Sequence, residues 1–197
     1  MSSPSPRQRL RLSFNSPVVL TFAGICIAVQ ILNLLTSGAS NRLWFSVERA
    51  PLGSLRTWAR LVLHVFGHAD WDHLLSNMMY LLILGPMLEE KYGSDVMIFL
   101  MLATAFVTGL AAFVFAPGVA MCGASGVVFA MILLSSFTEF QEHTIPVTVI
   151  LVAALYAGSQ IYSAMTSGGG VAYGAHFVGG AVGAVIGCAA NRCGKTA

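Results

Sequence analysis

Residues 96–138 read VMIFLMLATAFVTGLAAFVFAPGVAMCGASGVVFAMILLSSFT, without a single Asp, Glu, Lys, Arg or His. A soluble fold has no use for so long an uncharged run, because the outer face of a water-exposed helix carries polar and charged residues. A bilayer does, since about 20 consecutive apolar residues cross its hydrocarbon core as a helix. Near the middle, in MCGASGVVFAM (121–131), Ser125 stands among small residues where a hydrolytic serine would be short of water. The whole chain has the same character. Of 197 residues, 9% are charged and 56% apolar, with a mean hydropathy of +0.78, against about 25% charged in an average soluble domain. A net charge of +2 is too small to suggest a nucleic-acid partner. Cys26, Cys122, Cys188 and Cys193 form no C-x-x-C pair and no metal-ligand spacing, so they read as small buried residues.

Working outward, the apolar runs predict an all-α membrane protein with six transmembrane helices, over about residues 17–35, 73–88, 96–116, 125–137, 145–162 and 173–190. A signal peptide competes for the first run, since SGAS (37–40) offers small residues for cleavage. Its apolar core exceeds the ~7–15 residues usual for a signal, and a retained helix is the preferred reading. The long first loop (36–72) carries Arg42, Arg49, Arg56, Arg60, Trp44 and Trp58 and is expected at the membrane interface, where Trp is favoured. The second helix is expected to stop at the charged turn EEKYGSD (89–95). The fourth is short for a crossing, which its start tolerates if sunk in protein rather than facing lipid. SAMTSGGG (163–170) reads as a flexible loop. Residues 1–16 and 191–197 are then short tails around a transmembrane domain over 17–190. An even number of crossings puts both termini on one side. Arg7, Arg9, Arg11, Arg192, Lys195 and Lys91 assign that side to the cytoplasm, with the first-loop arginines voting against. Ser125 and the start of the sixth helix then share the outer face.

Ionisable residues inside spans are functional candidates by default, and His73 and His176 both fall near outer helix ends. Taken alone, either can be a hydrogen-bond partner gluing two helices. With Ser125 on the same face the chemistry changes, because a serine is a poor nucleophile until a base takes its proton, and histidine is the usual base. His176 is followed by Gly179 and Gly183, a G-x-x-x-G pair that permits close helix approach. The fourth helix opens with small residues of its own, Gly123, Ala124 and Gly126. The plain alternative is two packing motifs with Ser125 as a helix cap. His73 and Asn77 share one helical face and can donate to an oxyanion, as can the Ser125 N–H at a helix start; the alternative is again a polar pair between helices. A metal site at His64, His68 and His73 is disfavoured for want of an accompanying acid or thiol, and no cofactor is expected. GASG is not the G-x-S-x-G of soluble hydrolases, and no in-span acid completes a triad. A serine hydrolase here would be a dyad enzyme.

These residues resemble the rhomboid intramembrane serine proteases, of the compact six-helix bacterial type, over about residues 55–190. HVFGHADWDHLLSNMMYLLILGPMLEEKYG (64–93) has the family's H-x(3)-H-x(4)-H-x(3)-N spacing through His64, His68, His73 and Asn77, with Gly85, Glu89 and Gly93 following. GASG (123–126) matches G-x-S-G, and AHFVGGAVG (175–183) matches A-H-x-x-G-x-x-x-G. The resemblance implies Ser125 as nucleophile, His176 as general base, and His73, Asn77 and the Ser125 N–H as oxyanion hole. It further implies transmembrane-protein substrates, a lipid environment and a bacterial inner-membrane location. Two positions depart from the pattern. Phe129 stands where the family often has Tyr, and the family's first-loop Trp-Arg pair is broken, with Ala59 before Arg60 and Trp58 one further back. The rival class is a catalytically inactive relative that binds transmembrane helices. A transporter would show an inverted repeat, and the two halves have none.

Overall fold

A computed structural model describes residues 15–116, 118–136 and 170–193, with side chains in the last stretch described over 178–189, and positions 147, 150, 151, 154, 155 and 158. The described chain is helical, and its one β contact is an isolated bridge between Val47 and Met121. Helix α1 (Pro17–Leu35) leads into a π-helical turn (Asn41–Phe45), then α2 (Leu55–Leu63) and a 3-10 turn (His64–Phe66). There follow α3 (Trp71–Tyr92), α4 (Ser94–Phe115), α5 (Ser125–Ser136) and, last, α6 (Gly170–Cys193). Most of the expected tails and of the 163–170 loop lie outside the described residues. The expected fifth span, 145–162, is described only at the six positions above, all helical and exposed.

The core is apolar and continuous. Val19, Phe22 and Cys26 of α1 meet Leu74, Met78, Leu81 and Leu88 of α3 and Met97, Leu100 and Met101 of α4. Val127, Met131 and Leu134 of α5 and Ile186 of α6 complete it. The outer surface is apolar too: Ile83, Phe99, Phe115 and Val185 are each more than 60% exposed. Contiguous apolar surface on this scale is a liability in water and ordinary in lipid. Among the described residues, two helices, α1 and α4, are long and apolar enough to cross a membrane by length and composition.

The first loop is folded rather than slack. Its arginine Arg60 is buried, pairs with Glu48 at 2.9 Å, and donates to the Arg42 carbonyl near the start of the loop's π turn. Thr57 Oγ1 and Trp58 Nε1 donate to the carbonyls of Pro51 and Leu52, closing the turn before α2. The missing Trp-Arg pair therefore leaves the loop anchored, with Arg60 still in its place.

Helix α3 differs from its expected bounds at both ends. Asp70 caps it two residues early, accepting the His73 N–H at 2.7 Å. Downstream it runs through the acidic turn to Tyr92, because Glu89 faces inward with only 4% exposure. The Glu89 carboxylate accepts the N–H groups of Val18 and Val19 at 3.0 Å each, and the Ser94 hydroxyl at 2.7 Å. Those N–H groups belong to the first turn of α1, which has no partners within the helix, and its N-cap Ser16 makes no side-chain bond. A carboxylate there also suits the positive end of the helix dipole. Removing it strands buried donors at roughly 1–3 kcal/mol each. Glu89→Ala should lower unfolding stability by about 2–4 kcal/mol, read as a reduced thermal midpoint in detergent micelles, with Glu89→Gln losing less.

Candidate active site

Helix α5 is described over Ser125–Ser136, and its start is packed inside the protein, with Ala124 and Val127 fully buried. Ser125 is its first residue and is partly buried. The chain reaches it through non-helical backbone, and the first loop supplies the partners for that backbone. Val47 and Met121 exchange N–H···O bonds of 2.8 and 2.9 Å. The Gly123 N–H donates to the His64 carbonyl at 2.9 Å, and the Ala124 N–H donates to His68 Nε2 at 3.4 Å.

Gly123 has a φ of +131°, which L side chains rarely adopt. It also has no room: a Cβ there would fall 2.6 Å from His73 Cε1. The glycine before the serine thus sets the turn and lets the His73 ring lie flush against it. One turn further along α3, Asn77 is buried, and its Nδ2 has no hydrogen-bond partner among the described residues. His73 and His68 pack edge to face, ring centroids 5.1 Å apart.

The contact between α5 and α6 is backbone to backbone. A Cβ at Gly179 would fall 2.5 Å from the Gly126 carbonyl oxygen, and one at Gly183 2.6 Å from Ala130 Cα. The two contacts advance by four residues on each helix, so α5 and α6 run parallel in one register. Continued to the first residue of α5, that register sets backbone position 178 level with Ser125, two residues after position 176 on α6. His176 lies on α6, and its side chain falls outside the described residues. Gly126 in turn faces Thr108 of α4, 3.0 Å from a notional Cβ. Phe129 follows Ser125 by one turn on α5.

His64 and His68 do not share a helix face, contrary to their spacing: His64 closes α2, and His68 sits in the loop before α3. Both are fully buried. His64 Nε2 lies 3.4 Å from Thr108 Oγ1. Burial pushes His64 down to about 4, against a partial upward pull from the carbonyls of Arg60 and Leu61. Burial first and the neighbouring His73 second push His68 down to about 4, with Phe66 and Asp70 pulling upward. Sequence spacing grouped these two histidines with His73 but carried no sign that they bond the backbone before Ser125.

The family model described as Rhomboid domain matches residues 55–192. Proteins named Rhomboid protease GlpG are similar over 115 residues: those of Yersinia pestis (strain Pestoides F) and Yersinia pseudotuberculosis serotype O:3 (strain YPIII) at 31% identity. The one from Yersinia enterocolitica serotype O:8 / biotype 1B is 30% identical. In each case the match takes in 58% of this chain and 41% of the relative, so the chain spans less than half the length of the relatives it matches.

Both buried imidazoles bind a proton less readily when folded than the ordinary value of 6.5 allows. Their contribution to stability is therefore complete above about pH 7 and is lost as pH falls from 6.5 toward 4. The thermal midpoint in micelles should already decline between pH 6.5 and 5, above the carboxylate range. A midpoint flat across that interval contradicts neutral, buried His64 and His68.

Proposed function

The chain belongs to the rhomboid family, and on that premise we propose that it is an intramembrane serine endopeptidase using a Ser125–His176 dyad. The observation that carries this reading is the register of α5 on α6. Backbones in contact at Gly126–Gly179 and Ala130–Gly183 hold the starts of the two helices together, which supports a pairing of Ser125, beside Gly126, with a base carried about one turn before Gly179. A serine hydroxyl needs such a base within about 3 Å to become a nucleophile.

In this reading a substrate transmembrane segment unwinds near the outer face and presents a carbonyl carbon to Ser125 Oγ. His176 takes the hydroxyl proton as the C–O bond forms. The negative charge that develops on the carbonyl oxygen is met by the Ser125 N–H, the His73 ring and Asn77. Asn77 Nδ2 suits that part, being a buried donor with no partner among the described residues, a costly state unless something accepts from it. His176 then gives its proton to the departing amine as the C–N bond breaks. Water, deprotonated by the same imidazole, releases the acyl group from Ser125. Phe129 holds the position where the family often has Tyr, Gly123 leaves room for the His73 ring, and Gly126, Gly179 and Gly183 keep α5 and α6 in contact. The substrates are transmembrane proteins, and the enzyme is a multi-pass, six-span protein of a bacterial inner membrane with both termini cytoplasmic.

Purified protein in micelles or liposomes, given a model transmembrane substrate, tests the assignment. Ser125→Ala and His176→Ala should cut at background rate. His73→Ala and Asn77→Ala should each lose about 10²–10³ in kcat, the usual cost of one oxyanion donor, with KM little changed. Wild-type cleavage by either dyad variant overturns the dyad.

A further inference from the structure

His68 belongs to neither the dyad nor the oxyanion donors proposed above, yet it is the side chain that touches both sides of that site. Its ring is completely buried. Nδ1 lies 3.2 Å from the Phe66 carbonyl, which only accepts, so Nδ1 carries the proton. Nε2 faces the Ala124 N–H at 3.4 Å, which only donates, so Nε2 is bare. The two contacts are consistent with one tautomer and with no other protonation state. The ring edge also meets the His73 ring, and the His68 carbonyl accepts Asn41 Nδ2 at 2.7 Å, which ties the residue to the first loop.

We propose that His68 is a positioning residue: as the neutral Nδ1–H imidazole it orients the Ala124 peptide that precedes the Ser125 N–H, and it braces the His73 ring. The inference rests on the serine-protease reading. The Gly123–Ala124 peptide that His68 holds adjoins the Ala124–Ser125 peptide, which carries one oxyanion donor, and His73 carries another, so one ring abuts the supports of both. A small misplacement matters, because an error of about 1 Å in a reacting group can cost 10²-fold in rate. Charging the ring would replace an acceptor by a donor opposite the Ala124 N–H. Besides its backbone contacts, His68 is faced by His73 and Asp70, whose charges oppose each other in their effect on it; burial outweighs both and keeps the ring neutral.

The test compares three proteins on the same transmembrane substrate and adds one spectrum. Leu at position 68 fills the space without an acceptor, whereas the Gln carbonyl can still take the Ala124 N–H. His68→Leu should lose about 10- to 100-fold in kcat with KM within about twofold of wild type. His68→Gln should recover to within about threefold of wild-type kcat at an unchanged thermal midpoint. Wild-type kcat in His68→Leu overturns the proposal, as does a Gln variant that folds normally yet is as slow as Leu. The nitrogen-15 imidazole spectrum at pH 7.5, assigned by the signal missing in His68→Gln, needs no turnover. It should show Nδ1 protonated and Nε2 bare, and an Nε2–H or doubly protonated ring overturns the proposal. Failure of the protease reading looks different: substrate stays uncut by the wild-type protein, or Ser125→Ala cuts it equally well.

Discussion

Non-helical backbone in a low-dielectric interior must find protein partners for its N–H and C=O groups, and the rest of this structure depends on how that is done ahead of Ser125. The start of α5 is buried, with Ala124, Val127 and Val128 at most 4% exposed. The groups just before it are bonded to Val47, His64 and His68. The first loop is thus part of the site's foundation. This gives its own anchors a purpose: Arg60 fastens the π turn to α2, and Asn41 fastens that turn to His68. A loop that merely covered the bundle would need neither.

Close approach does the remaining work. In lipid, helices gain little from burying apolar side chains against each other, and small residues that let backbones touch become the means of association. Gly109 lies against Leu61 where α4 crosses α2, and Gly85 lies against Val19 where α3 crosses α1. Gly179 and Gly183 do the same between α6 and α5. The last pair differs in consequence, because the touching backbones flank Ser125. On the proposed dyad, packing there also decides chemistry: any side chain in place of Gly179 or Gly183 would push apart the helices that carry Ser125 and His176.

Much of this was legible in the sequence because it depends on local spacing. The uncharged run marked the lipid-embedded helices, the small residues around Ser125 marked the start of α5, and the four-residue glycine interval marked the face α6 presents to it. What the spacing missed was tertiary. Glu89 looked like part of a charged turn, since nothing near it reveals that α1 needs a carboxylate some 70 residues away at its first turn. The Val47–Met121 bridge joins segments with no shared pattern. The interval from His64 to His68 reads as one helix face, but the helix ends between them, and each histidine was free to bond backbone instead. The proposed dyad histidine was found from its position before the glycines, and the described geometry reaches the backbone of its helix.

The proposal turns on Ser125, at the buried start of α5, being made nucleophilic by His176. Membranes containing the intact protein can be treated with a serine-directed fluorophosphonate and the modified peptide mapped by mass spectrometry. The account predicts a single serine adduct at Ser125 that disappears in His176→Ala. An adduct elsewhere, or undiminished labelling of Ser125 in His176→Ala, would contradict it.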